Sequence, residues 1–307
     1  MKKAIVTGGA GFIGSHLAER LVELGHQVII IDDLSSGKME NMDKVLFGKK
    51  AEFVQGSITD PSLLKRLFTD ADYVFHLAAV TSVPRSIDNP QASHEVNVNG
   101  TLNVLLAARD NSVKKLVLAS SAAVYGDTPT LPQTEDMMPR PLSPYAVAKL
   151  VGEYYCQVFT RIYNLPTVCL RYFNVYGPRQ DVNSPYAAVI PKFIQEVRRG
   201  NAPVIFGDGE QTRDFAFVKD VVEANVLAAQ SDISGIFNIG GGESVTINRL
   251  AALIVELVGS HVKPIYREPR PGDIKYSLAD ISRASAFGFK PEYNLKQGLA
   301  ETIRLLA

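Results

Sequence analysis

Residues 3–24 read KAIVTGGAGFIGSHLAERLVEL, and this stretch decides the fold. Lys3-Ala4-Ile5-Val6-Thr7 is a short apolar, β-branched run of the kind that fills a buried strand. From Phe12 onward, Ile13, Leu17, Leu21 and Leu24 recur on one face of a helix. Between the two, Gly8, Gly11 and Gly14 stand at the spacing G-x-x-G-x-x-G. Gly8 permits a tight turn, Gly11 lets a pyrophosphate approach the backbone, and Gly14 lets the helix pack closely on the strand. The first amides of that helix, around Phe12 and Ile13, then face the phosphates. A glycine-rich turn on its own is often only a turn; its place between a strand and a helix marks a dinucleotide site.

Outward from this unit the pattern repeats. Gln27–Ile31, Glu52–Val54, Tyr73–His76, Lys115–Leu118 and Thr167–Leu170 read as further buried strands separated by helical stretches. Continuous apolar strands alternating with helices predict an α/β fold with a doubly wound parallel sheet covered on both faces. After about residue 170 the order changes. Val204–Phe206 and Ile236–Ile239 read as short strands, and Asp220–Gln230, Ile247–Val258, Asp280–Ala286 and Leu295–Leu306 as helices. The expected division is a dinucleotide-binding domain over 1–170 and a smaller mixed α/β substrate domain over 171–307, some of whose segments return to the first.

Asp32 ends the second strand, where an acid binds the adenosine ribose diol and repels a 2′-phosphate, which favours NAD over NADP. Capping of the following turn is the other role open to Asp32 or Asp33. Ser35, Ser36 and Gly37 lie beside the ribose in this reading, and Ser57-Ile58 where an adenine rests. The small residues of Leu77-Ala78-Ala79 let the cofactor lie against backbone. Asn97 either steadies the strand ends around the cofactor or is structural.

The chemistry is carried by Tyr145 and Lys149, four apart on one helical face, and by Ser121 after the fifth strand. A free phenol titrates near 10, too high for a base at neutral pH. A neighbouring ammonium favours the phenolate, so Tyr145 beside Lys149 suits proton transfer to and from a hydroxyl, with Ser121 sharing the proton path.

Composition bounds the rest. The chain has 307 residues, 46% hydrophobic and 21% charged, with zero formal net charge. That describes an ordinary globule with no basic excess to attract nucleic acid or an anionic membrane. The N-terminal apolar run breaks at Gly8-Gly9, and no stretch is long enough to span a bilayer. Cys156 and Cys169 lack metal-ligand spacing and suit a reducing cytoplasm.

On these motifs the chain resembles an extended short-chain dehydrogenase/reductase over its length, and within that superfamily the nucleotide-sugar 4-epimerases. The resemblance is carried by TGGAGFIGSH (7–16), SSAAVYG (120–126), SPYAVAK (143–149), LRYFNVYGPRQ (170–180), GDGEQTRDF (207–215) and PGDIKYSLADIS (271–282). It implies NAD as cofactor, with Ser120 and Phe173 added to its site, and Ser121, Tyr145 and Lys149 as the catalytic trio. It also implies a UDP-hexose or UDP-N-acetylhexosamine substrate. Asn174, Arg213 and Arg270 would hold the diphosphate, Val189 and Phe206 the uracil side, and Asp273 the nucleotide ribose. Ser277 stands where these epimerases carry a pocket-restricting tyrosine, and Ser82 resembles the N-acetylhexosamine branch. Both point to an acetylated sugar as well as a plain hexose. A 4,6-dehydratase would show an acid pair where Ala122-Ala123 stands, and glucuronate epimerases show Thr in place of Asn174. Decarboxylation or reduction of a nucleotide sugar is the alternative on the same scaffold. A homodimer through helices around 93–110 and 144–163 is the family's expectation.

Overall fold

The computed structural model describes residues 1–46, 50–182, 188–269 and 274–306. Strands are numbered in chain order. The main sheet holds β1 (Lys3–Thr7), β2 (Gln27–Asp32), β3 (Ala51–Gln55), β4 (Tyr73–His76), β5 (Lys115–Ser121), β6 (Thr167–Tyr172) and β11 (Gly235–Ile239). Its order is β11-β6-β5-β4-β1-β2-β3, and every pairing is parallel. Short strands β7 (Val175–Tyr176), β8 (Val204–Phe206), β9 (Thr212–Asp214), β10 (Ala216–Phe217), β12 (Ser244–Thr246) and β13 (Ile265–Arg267) form three two-stranded ribbons, β10-β7, β12-β9 and β13-β8.

Alternation along the strands sends neighbours to opposite faces. Ala4, Val6, Val28 and Ile30 pack with helices α1 (Phe12–Glu23), α2 (Asp43–Leu46) and α9 (Val218–Gln230). Ile5, Ile29 and Ile31 pack on the other side with α3 (Pro61–Leu67), α6 (Thr101–Asp110) and α7 (Pro144–Tyr163). Two short helices, α4 (Val83–Asp88) and α5 (Pro90–His94), lead through a single π-turn, Glu95–Gly100, into α6. Fully burying each Val, Leu or Ile here stabilises the fold by roughly 1.5–3 kcal/mol. A third core gathers α8 (Val189–Arg198), α10 (Ile247–Val258) and α11 (Leu295–Leu305) around Phe193, Leu250 and Leu299.

The chain lays β2 and β3 on one side of β1, then crosses to place β4 on the other. This reversal is the crevice where open α/β sheets take their ligands, outside the carboxyl ends of the strands. Although β11 and α9 come late in sequence, β11 extends the main sheet beside β6 and α9 packs on α1. One expectation fails: Asp280–Ala286 is not a helix. Only a 3₁₀ turn, Arg283–Phe287, forms there, because Asp280 is tied by its backbone to Gln133 and Gly288 (φ +85°) ends the turn. Among the described residues no helix is long and apolar enough to cross a membrane, and Cys156 and Cys169 are buried free thiols.

Candidate active site

A cleft of about 790 Å³ opens along the carboxyl ends of the sheet. At its floor Gly8 turns with φ +71°, and a Cβ there would sit 2.6 Å from the Ala78 amide nitrogen. At Gly14 a Cβ would fall 2.2 Å from the Gly8 carbonyl oxygen, so strand and helix meet only because both positions are bare. A Cβ on Gly11 would meet the Gly8 oxygen, at 3.1 Å, and otherwise stand in the cleft. No side chain caps the start of α1, which leaves its first amides to face the cleft. These features fit a dinucleotide diphosphate.

Asp32 lines the same cleft and is also a turn cap: its carboxylate accepts from the Ala10 amide at 3.0 Å and the Leu34 amide at 2.8 Å. Burial pushes its carboxyl up, and those two bonds oppose the rise. The capping role is therefore present, on a carboxylate that also lines the cleft. Asp33, Ser35, Ser36, Ser57, Ile58, Leu77, Ala78 and Ala79 line the cleft with Phe12 and Ile13. Gly37 and Asn97 do not. Gly37 tucks under the Asp32 carboxylate, where a Cβ would come within 2.7 Å of Oδ1. Asn97 is buried and spends its amide on Val80, accepting from its nitrogen at 2.8 Å and donating to its oxygen at 3.0 Å. Its contribution is to hold the loop after β4 in place.

His76 ties these parts together. Its Nδ1 is 2.7 Å from the Thr7 hydroxyl and its Nε2 3.0 Å from the Thr101 hydroxyl. Thr101 donates its own proton to the Asn97 carbonyl, so it accepts from Nε2–H, and Nδ1 accepts from Thr7. Burial, with the Lys149 charge adding to it, pushes His76 down to about 3, so it stays neutral.

Helix α7 positions the chemistry. Ser143 caps it by accepting from the Ala146 amide at 3.2 Å, and Pro144 occupies the first turn. Tyr145, half-buried in the cleft wall, is hydrogen-bonded with Ser121, the last residue of β5. Burial raises the phenol and the Ser121 bond lowers it. Lys149 donates to the Ala119 carbonyl at 2.7 Å, and its Nζ stands 5.8 Å from the Tyr145 ring centre. Burial lowers its ammonium to about 8, against the pull of Glu153 one turn further on. Lys149 thus stands over the Tyr145 ring with its Nζ committed to the β5 backbone. Ser120 and Phe173 also line the cleft, and the Ser120 hydroxyl donates to Glu153 at 2.5 Å. Glu153 and Arg171, 0% and 2% exposed, form a two-pronged ion pair at 2.8 and 2.7 Å. The guanidinium lies 4.7 Å over the Tyr125 ring.

On the substrate side, a second cavity of about 320 Å³ adjoins the cleft through Asn174, Val175, Ala188 and Arg213, which line both. Val189 and Phe206 line this second cavity alone. Asn174 donates to the Asp214 carbonyl at 2.9 Å. The buried Asp214 carboxylate accepts from the amides of Gly241, Gly242 and Ala279, and burial pushes it up to about 6. It thereby anchors the segment that carries Ser277. Ser277 and Ser82 both reach the cleft. Arg270 and Asp273 lie outside the described residues. Lys38, Arg85, Gln133 and Arg179 line the cleft too, Arg85 from α4 and the other three from loops, and no short-range spacing singles out their side chains. Among the described residues no cluster suited to a metal ion occurs.

Comparison with known proteins agrees with this geometry. The model of a family described as NAD dependent epimerase/dehydratase matches residues 4–240. A relative from Methanocaldococcus jannaschii called a putative UDP-glucose 4-epimerase is 42% identical, covering 97% of this chain and 96% of its own. The solved UDP-N-acetylglucosamine 4-epimerase from Methanobrevibacter ruminantium M1, in complex with UDP-N-acetylmuramic acid, is 46% identical with a TM-score of 0.97, covering 99% of this chain and 98% of its own. The UDP-glucose 4-epimerase of Thermotoga maritima, solved with UDP-glucose, is 40% identical with a TM-score of 0.94 at the same coverage.

Proposed function

This chain belongs to the NAD dependent epimerase/dehydratase family, and on that premise we propose that it interconverts the C4 epimers of a UDP-hexose through a transient 4-keto sugar. The observation that carries the reading is the continuity of the two cavities. A nucleotide held between Phe206 and Asn174–Arg213 extends its sugar toward Ser121 and Tyr145, beside the glycine turn.

Bound NAD supplies the hydride acceptor and donor at C4. Tyr145 takes the 4-hydroxyl proton and returns it after the sugar has turned about its diphosphate link. Ser121, bonded to that phenol, shares the proton, and the Lys149 charge lowers the cost of the phenolate. Firm ligands on the diphosphate with small residues around the sugar, Ala122, Ala123 and Ser277, let the hexose present either face. Ala122 and Ala123 also leave dehydration without an acid–base pair. Conversion of UDP-GlcNAc to UDP-GalNAc, or of UDP-glucose to UDP-galactose, without added reductant tests the reading. Net consumption of NADH, or no conversion of either sugar by NAD-loaded protein, overturns it.

Both sugar classes are the expected substrates, because Ser277 leaves room for a 2-acetamido group. Ser277→Tyr is expected to lower kcat/KM for UDP-GlcNAc by about 10–200-fold, the range one side chain can impose on a pocket, with a smaller loss on UDP-glucose. Equal losses on the two sugars refute the gate.

The reading includes a homodimer. Val147, Tyr154, Val158 and Ile162 are exposed along one face of α7, an apolar stripe suited to a two-fold partner helix. Val158→Glu is expected to convert the protein to monomers in sedimentation velocity; an unchanged dimer removes this helix from the interface.

A further inference from the structure

Gln133 is 3% exposed and lines the cleft together with Ser121, Tyr145 and Ser277. Its side-chain Oε1 is buried without a hydrogen-bond partner. Leaving a buried acceptor unpaired is costly, and native proteins rarely tolerate it without a reason. The backbone cannot withdraw the side chain. The Gln133 amide donates to the Leu278 carbonyl at 2.7 Å, and its carbonyl accepts from the Asp280 amide at 2.9 Å and from the Asn238 side chain at 2.9 Å. Asn238 is itself fixed by the Tyr125 hydroxyl, which donates to it at 2.6 Å. Gln133 pairs in parallel with Ala279, so its amide shares a wall with Ser277. A buried, unpaired amide oxygen carried on a fixed backbone, in a residue that lines the same cleft as Tyr145, is suited to a donor brought in by a ligand.

We propose that Gln133 is a hexose-binding residue whose side-chain amide pairs with an N–H or O–H donor on the sugar ring. This rests on the UDP-hexose reading of the cleft, and it adds a grip on the sugar to a site otherwise built to hold the nucleotide. A donor at the ring removes the penalty of the unpaired oxygen, so the residue discriminates UDP-hexose from UDP.

The test is calorimetric binding of UDP, UDP-glucose and UDP-GlcNAc to the wild-type holoenzyme and to Gln133→Met, which keeps length and removes the amide. Affinity for at least one UDP-hexose is expected to fall about tenfold, as for loss of one buried hydrogen bond. UDP affinity stays unchanged and the ligand-free melting temperature is equal or higher, because an unpaired polar atom has been removed. Unchanged hexose affinity, or a parallel loss for UDP, overturns the proposal. If Gln133→Met does not fold, Gln133→Asn, which retracts the amide by one methylene, gives the same comparison. Wild-type turnover is scored separately. Failure to epimerise while Gln133→Met loses hexose affinity condemns the reaction and keeps the binding role; epimerisation without that loss does the reverse.

Discussion

Tyr145→Phe is expected to lower kcat by about 10²–10⁴-fold, the range for a positioned general acid–base, with substrate affinity nearly unchanged. The ring keeps its place in the cleft wall, because the Tyr145 amide still donates to Ser86 Oγ at 3.1 Å and α7 keeps its cap. What is lost is the one hydroxyl bonded with Ser121. Burial holds the phenol up in the free protein, so its proton leaves readily only with positive charge close by. In the proposed reaction Lys149 provides part of that charge, and burial brings its own titration down to about 8. Lys149→Met is therefore expected to shift the rising limb of kcat toward higher pH as well as lowering its plateau. Product chromatography with UDP-glucose and UDP-GlcNAc reads both variants. A Tyr145→Phe enzyme retaining more than a tenth of the wild-type rate would sink the assignment.

Glu153→Gln is expected to destabilise the fold by about 3–5 kcal/mol, read from denaturant unfolding, because it strands the Arg171 guanidinium at 2% exposure. The desolvation of a buried charge is large, and the two-pronged carboxylate is the main offset here, with the Tyr125 ring and the Glu135 carbonyl adding to it. Replacing both partners with apolar residues, Glu153→Leu with Arg171→Met, is expected to recover most of the loss. The pair also sits under the active site: Glu153 accepts from Ser120, next to Ser121, and opposes the fall in Lys149. The apolar double variant is then expected to fold and still show a lower alkaline limit of activity, because the ammonium loses its proton earlier without Glu153. Equal instability of single and double variants would rule out an ion-pair origin.

The two halves of the site differ in how far they could be read in advance. The three glycines of the turn lie within a few residues of one another, as do Tyr145 and Lys149, so helical and strand periods alone place each motif. The late strand β11 and helix α9 read correctly as elements, yet nothing local says that they return to the first sheet. Asp280–Ala286 carries a plausible helical composition, and its ties to Gln133 and the Gly288 turn prevent a helix. Asn97 is expected from its position to serve the cofactor site, but its amide is engaged by Val80 and Ser93.

By itself the sequence determined the parallel α/β architecture, the glycine turn between β1 and α1, and the Tyr145–Lys149 pair on one helical face, because each is encoded in residue types at short, regular spacing. Only the tertiary structure decided that Glu153 neutralises Arg171, that Tyr125 and Glu135 meet Asn238 across separations of 113 and 103 residues, and that Gln133 is held unpaired beside Ser277. Those partners are set by strand order and by where loops close over the sheet, which pattern and propensity do not specify.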